Sequence, residues 1–232
     1  MAGLLLNGLG RNMQDLSESK AEPRHYRKMI ILDFGSGETC QNDKDTIDRM
    51  IGGLAEVDTG KKEIVIKWQL FRTIPHLKAL TYEAFDYAYM RAKEYGYQTT
   101  ASVFDSLTIG FLKNYKVPFF KIAARDDLYK YIPTLIEKGH NVIVSLKDIK
   151  YAEILDYYAY LCCVPEYPAR IEMYESLFGG NLSVGISDHC TSFYLYKKYQ
   201  PIFYESHFKL EDSIGADSGS WAKTPKRWAE IL

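Results

Sequence analysis

Residues 98–146 read QTTASVFDSLTIGFLKNYKVPFFKIAARDDLYKYIPTLIEKGHNVIVSL, and their pattern decides the fold. Three short apolar runs, Gln98–Phe104, Phe119–Ala124 and Asn141–Leu146, alternate with two helical segments, Ser106–Tyr115 and Asp127–Lys138. Val142-Ile143-Val144 is β-branched and nearly continuous, as strands buried on both faces are. Asp127–Lys138 is longer and amphipathic, with one face for a core and one for water. Strand, helix, strand, helix, strand is the unit that builds parallel sheets.

The same alternation extends in both directions. Met29–Phe34 and Glu63–Gln69 precede the stretch, and Ala159–Val164, Leu182–Asp188 and Ile202–Phe208 follow it, giving eight runs. Between them lie Asp43–Ile51, with apolar Ile47, Met50 and Ile51, the longer Tyr82–Tyr95, and the shorter Ile171–Phe178. Eight strands alternating with helices in 232 residues predict a (β/α)8 TIM barrel. Some helices are short or degenerate, because only Cys190–Pro201 separates strands seven and eight. A doubly wound sheet is the alternative. Residues 1–28 have no apolar period over their polar part and contain Pro23, so they are read as an N-terminal extension and 29–232 as the barrel.

Composition narrows the function classes. The 29 basic and 30 acidic residues leave a net charge of -1, which argues against a general nucleic-acid binder. No apolar run approaches the roughly 18 residues that span a bilayer. Leu4-Leu5-Leu6 lacks the basic flank and length of a signal peptide, so a cytoplasmic protein with no membrane partner is expected. The cysteines, at 40, 162, 163 and 190, match neither a disulfide framework nor a CxxC zinc site. Reduced, buried thiols are expected, with Cys162-Cys163 as core filling rather than a nucleophile.

In barrels of this class chemistry sits at the C-terminal ends of the strands. The polar residues there are Asp33, Lys67, Gln69, Ser102, Lys121, Ser145, Ser187-Asp188-His189, Glu205 and His207. Desolvating an ammonium costs several kcal/mol unless it finds partners, on the order of that for any buried ion. Lys67 and Lys121 on different strands, with Ser102, Ser145 and Ser187 at equivalent ends, therefore suggest a bound phosphate or carboxylate. The alternative is a structural carboxylate beside each lysine. His189 and His207 close neighbouring strands, where two neutral imidazoles can hold one divalent metal with positions left open. The alternative is one surface and one core histidine. His25, His76 and His140 carry no such signal. Gly35-Ser36-Gly37 is a weak phosphate-nest signal without GxGxxG or Walker spacing, and reads better as a flexible turn.

With those residues in place, the local strings resemble the sialic acid synthases. Val117-Pro-Phe-Phe-Lys-Ile-Ala-Ala124 resembles their "VPAFKIAS", Val184-Gly-Ile-Ser-Asp-His189 their "VGYSDHT", and Tyr204-Glu-Ser-His-Phe208 their "EKHF". Ile66-Lys-Trp-Gln69 is similar to "VKFQ", Ser102-Val-Phe-Asp105 to "TPFD", Glu166-Tyr-Pro168 to "xYP" and Gly215-Ala-Asp217 to "GPD". Leu32-Asp-Phe-Gly35 stands where "AEIG" opens the family barrel. The order is preserved from about Met29 to Leu232.

The resemblance implies a (β/α)8 barrel that condenses phosphoenolpyruvate with an N-acetylated aldose, N-acetylmannosamine-like, to a 2-keto-3-deoxy acid of the sialic acid type and phosphate. It implies a divalent metal, Mn2+ or Mg2+, on His189 and His207. Lys67, Gln69, Ser102, Lys121, Ser145 and Ser187 would hold phosphoenolpyruvate. Asp33, at the family's glutamate, would orient or deprotonate water, and Asp126 stands at a second family glutamate near the substrate. Tyr167 and Asp217 would line the sugar end. Lysines and hydroxyls suit a donor with up to three negative charges, and the metal suits an aldehyde that must be polarised.

The departures are specific. Ala124 stands where the family has a phosphate-contacting serine, and Arg125 where it has glycine. "STGM" is Ser145-Leu-Lys-Asp148 here, and "HCTS" is Cys162-Cys-Val-Pro165. Typical members continue into an antifreeze-like domain that binds the sugar in the partner subunit, so the resemblance covers the barrel domain only. A homo-oligomer or a separate sugar-binding protein is the partner set this leaves open. The alternatives to the synthase are a related 3-deoxy-2-keto acid synthase with another aldehyde acceptor and a catalytically degenerate barrel that binds a metabolite or partner.

Overall fold

The computed structural model describes residues 28–72, 74, 76–154 and 159–232. The expected N-terminal extension therefore lies, apart from Lys28, outside the described residues. Eight parallel strands close into a barrel in sequence order: β1 (Met29–Gly35), β2 (Glu63–Leu70), β3 (Gln98–Val103), β4 (Phe120–Ile122), β5 (Val142–Leu146), β6 (Ala159–Cys163), β7 (Gly185–Asp188) and β8 (Phe203–His207), with β8 paired to β1. This is the (β/α)8 barrel, and the doubly wound alternative falls. Each expected strand is present: β1 and β2 run one residue further than expected, and the other six are shorter by one to three residues.

The helices are α1 (Gly37–Cys40), α2 (Lys44–Val57), α3 (Tyr82–Glu94), α4 (Ser106–Leu112), α5 (Ile132–Glu137), α6 (Tyr151–Ile154), α7 (Ile171–Phe178), α8 (Tyr194–Tyr199) and α9 (Pro225–Trp228). Local chemistry starts several of them. The Asp43 and Thr81 side chains accept the Thr46 and Ala84 N–H groups at the fronts of α2 and α3. Asp105 and Thr108 form a reciprocal capping box on α4. The expected long helix over Asp127–Lys138 is split into a 3-10 segment, Asp126–Tyr131, and α5. Pro133 has no N–H and its ring would clash with a preceding carbonyl, so it is accommodated only in the first turn of a restarted helix.

Period-2 alternation divides the strand residues between two environments. Ile30, Leu32, Ile64, Ile66 and Trp68 point outward to the helices and join the main core. Ile31, Val65, Phe119, Ile143, Ala159, Leu161 and Phe203 point into the bore and form a separate apolar plug at its lower end. The polar residues of the bore follow at the next inward positions of the same strands. Among the described residues no helix is long and apolar enough to cross a membrane.

The segment after β8 returns across the strand ends. Lys223 N–H donates to the His207 carbonyl at 2.9 Å, and Trp228 packs edge-on against Phe193. On the way it carries Asp217 over β1. Gly35 makes this approach possible: it sits at φ +75, beside a register shift in β1, and a Cβ there would meet Asp217 at 3.0 Å and Thr39 Oγ1 at 2.2 Å. The Gly35-Ser36-Gly37 turn is buried, and Ser36 caps α1 by accepting the Glu38 N–H.

Candidate active site

The upper bore opens into a cavity of about 230 Å³. Strand register sets its wall. Asp33 is level with Lys67 and with His207, Gln69 with Ser102, Ser102 with Lys121, and Ser187 with Glu205. Alternation then puts Lys67 and Gln69, Ser187 and His189, and Glu205 and His207 on the inner face in pairs.

Of the residues expected from sequence, Asp33, Lys67, Gln69, Ser102, Lys121, Ser145, Tyr167, Ser187, His189, His207 and Asp217 all line this cavity. Asp126 does not. It opens the 3-10 segment outside the wall, its side chain is 51% exposed, and it pairs with Lys147 at 2.9 Å. Four residues past Ile122 the pleat no longer governs direction, and the turn takes the carboxylate away from the bore.

The two lysines differ. Lys67 Nζ donates to Asp33 Oδ2 at 2.6 Å and to Ser102 Oγ at 3.2 Å. Burial opposes its charge, but Asp33 and Glu205 outweigh that and hold the ammonium above its ordinary range. Lys121 Nζ donates to Ser145 Oγ at 2.7 Å and to the Ile122 carbonyl at 3.2 Å. No carboxylate bonds it directly, so burial pushes its pKa down, with Lys67 adding to the effect against the pull of Glu205. The structural-carboxylate alternative thus describes Lys67 fully and Lys121 only in part, through Glu205 at 3.8 Å.

Burial opposes ionisation of Asp33 too. The Lys67 charge, the His207 ring and hydrogen bonds from Lys67 and the Gly35 N–H override it and hold the carboxyl well below the usual range. Gln69 Nε2 also donates to Asp33, at 3.1 Å, and reaches Asp217 Oδ1 at 3.2 Å. For the largely buried Asp217, burial and the neighbouring Asp33 carboxylate prevail over His207 and push its pKa up.

The residue that the sequence reading leaves without a role is Glu205. Its Oε1 accepts Ser187 Oγ at 3.0 Å and stands 3.5 Å from Lys67 and 3.8 Å from Lys121, while Oε2 is buried without a hydrogen-bond partner. The signal was its place two residues before His207 on one strand face. Cys163 also lines the cavity, but burial pushes its thiol up to about 12, so it is no nucleophile at neutral pH.

His189 and His207 come together, with ring centroids 5.5 Å apart. Tyr167 stacks on His189 at 4.1 Å and meets His207 edge-on. His189 Nδ1 is bonded to the Val164 carbonyl at 2.7 Å, which leaves Nε2 for another ligand. Burial and the adjacent His207 push its pKa down to about 3, keeping it neutral, the form that binds metals. His207 Nδ1 is buried and unpartnered, with Asp217 and Asp33 oxygens 3.6 and 3.8 Å away. Among the described residues no three His, Cys, Asp or Glu groups converge as a closed metal site. Two imidazoles with an orphaned nitrogen fit a cation held by few protein ligands and completed by substrate and water.

A barrel whose charged and hydroxyl groups gather at the C-terminal strand ends belongs to the class that works through its mouth. The NeuB family model matches residues 59–226, and the chain belongs to that family. Similar solved structures include the N-acetylneuraminic acid synthetase of Leptospira borgpetersenii, in complex with citrate, at 20% identity and TM-score 0.65 over 88% of this chain and 81% of that one. The Bacillus subtilis spore coat polysaccharide biosynthesis protein SpsE has the same identity and TM-score, and the alignment covers 88% of this chain and 66% of that protein. A Thermotoga maritima 3-deoxy-D-arabino-heptulosonate 7-phosphate synthase is more distant, at 11% identity and TM-score 0.62 over 89% and 67%. These likenesses show the fold. No curated protein matches the chain significantly in sequence.

Proposed function

We propose that the cavity binds phosphoenolpyruvate and condenses it with an N-acetylated aldose, N-acetylmannosamine-like, to give a sialic-acid-like 2-keto-3-deoxy acid and phosphate. The observation that carries this reading is Lys121: a buried ammonium facing a cavity with only a hydroxyl and a carbonyl bonded to it. Such a charge, beside Lys67, Ser102, Ser145 and Ser187, is arranged for an anion that arrives from outside. Family membership supports the same chemistry.

In this reading Lys67 and Lys121 hold the donor's phosphoryl and carboxylate groups, and the serines and Gln69 fix its orientation. Asp33 has both oxygens engaged and a depressed pKa, so it orients water for attack on C2 rather than deprotonating it. Tyr167 and Asp217 bound the acceptor end. A divalent metal, Mn2+ or Mg2+, held by His189 and His207 would supply Lewis-acid polarisation of the aldehyde. Bond formation joins donor C3 to the aldehyde carbon, water adds at C2, and phosphate leaves by C–O cleavage. Asp126, as placed, takes no part.

The test is direct. Protein, phosphoenolpyruvate, Mn2+ and N-acetylmannosamine should release phosphate and form a keto acid, and 18O from solvent water should appear in the product and not in phosphate. Absence of phosphate release across a broad aldose panel overturns the reading. Phosphoenolpyruvate binding without turnover would favour the degenerate barrel, a reading supported by Pro165 in the cavity wall.

A further inference from the structure

Opposite charges are evenly matched among the cavity's lining residues. Lys67, Lys121 and Arg125 face Asp33, Glu205 and Asp217. Lys67 is already bonded to Asp33, and Glu205 stands within 4 Å of both lysines. A donor bearing a phosphoryl group and a carboxylate therefore enters a site whose buried cations are partly neutralised from within. Arg125 is different: among the three cations it is the one whose partner is outside the cavity. Its Nε and Nη2 bond both oxygens of Asp127, at 3.1 and 2.8 Å, and both side chains are about half exposed, 47% and 58%. An exposed ion pair of this kind is weak and exchangeable. Between Lys121 and Arg125 along the chain, Ala123 and Ala124 line the cavity with nothing larger than a methyl group. The guanidinium lies 5.9 Å from the Phe104 ring, which supports it on the wall side.

We infer that Arg125 is the third cation of the donor subsite, held by Asp127 while the site is empty and transferred to the donor's phosphoryl group when it binds. This rests on the phosphoenolpyruvate reading above and adds to it a residue and an exchange. The planar fork that grips the Asp127 carboxylate matches a phosphoryl group equally well. Lys121 takes the anion from below and Arg125 from the rim. No bond is made or broken; one ion pair replaces another.

The experiment measures kcat and KM for phosphoenolpyruvate, and its Kd by calorimetry, in wild type, Arg125→Gln, Arg125→Lys, Asp127→Asn and the double variant. Arg125→Gln should raise KM and Kd about ten- to hundredfold, the scale of a charge-assisted hydrogen bond, with kcat and thermal stability little changed. Arg125→Lys should recover part of that loss. Asp127→Asn should lower KM by removing the competitor, and should have no effect once Arg125 is Gln. Unchanged KM and Kd in Arg125→Gln, in a wild type that does bind phosphoenolpyruvate, overturns this inference and leaves the proposed function standing. An Asp127→Asn effect of equal size with and without Arg125 overturns the exchange. A wild type that neither binds nor consumes phosphoenolpyruvate removes the proposed function, and this inference with it.

Discussion

The bore of this barrel has two halves built on the same strands. In the lower half Ile31, Val65, Phe119, Ile143, Leu161 and Phe203 interdigitate as a dry plug. Two residues further along the same strands come Asp33, Lys67, Lys121, Ser145, Cys163 and Glu205, equally buried but mostly charged or hydroxylic. Backbone geometry is common to both layers, so the difference is purely one of side chains. The plug contributes stability by removing apolar surface from water. The upper layer costs stability, because it holds two ammonium groups and two carboxylates in a small volume with Glu205 Oε2 and His207 Nδ1 unpartnered. A folded chain tolerates that cost where the groups have work to do on a ligand.

Substitutions in the two layers should therefore fail in opposite ways. The largest effect belongs to Lys121→Ala. It removes the ammonium that lacks a directly bonded carboxylate, and phosphate release from phosphoenolpyruvate should fall about a thousandfold in kcat/KM, the scale of one lost electrostatic stabiliser. A drop of less than tenfold would erase the functional distinction between the layers. Next is Ile143→Ala, one layer down on β5. It opens a cavity in the plug and should cost about 2–5 kcal/mol in urea unfolding, while turnover per folded molecule stays near wild type. Loss of turnover without loss of stability there would reverse the comparison.

Lys121→Met sharpens it from the other side. The variant should be inactive, yet the ligand-free protein should gain about 1–2 kcal/mol, because a buried ammonium gives way to an apolar chain of similar length while Glu205 keeps Lys67 and Ser187 as partners. The pH dependence has a definite sign. Burial depresses the folded-state pKa of Lys121 below its unfolded value, so wild type carries the penalty fully below the folded value and loses it as pH rises toward the ordinary lysine range. The advantage of Met over Lys should accordingly be present at pH 7 and fade in alkaline solution. A gain independent of pH would point to packing alone.

The strands and most of the mouth were legible in the sequence for a shared reason. Inside a strand, two-residue periodicity fixes both burial and direction, so Lys67, Lys121, His189 and His207 could be placed on one cavity from their positions alone. The period ended where the strand did, and beyond it Tyr167 and Asp217 were placed in the cavity only by the family resemblance. Asp126 sits in a turn whose path depends on the Lys147 pair and on the restart of the helix at Ile132, and neither has a period to read. Glu205 was readable by position, but its partners, Lys67, Lys121 and Ser187, come from three other strands and appear only on barrel closure. The short helices α1, α6 and α9 carry too few turns for an apolar stripe, and they form because the barrel packs them.

The smallest expected effect is the most discriminating, since it asks whether the upper layer is a set of independent groups or one network. Ser102 Oγ accepts from Lys67 at 3.2 Å and is level with both Gln69 and Lys121 on the neighbouring strands. Ser102→Ala leaves Lys67 with Asp33 at 2.6 Å, so the ammonium stays charged and in place. Stability should then change by less than about 1 kcal/mol, the ordinary net value of a hydrogen bond. What the variant removes is a hydroxyl for the incoming donor, and the KM for phosphoenolpyruvate should rise about three- to tenfold with kcat nearly intact. If kcat falls as far as in Lys121→Ala, Ser102 acts through Lys67, and the layer behaves as a single coupled network rather than as separate contacts to one anion.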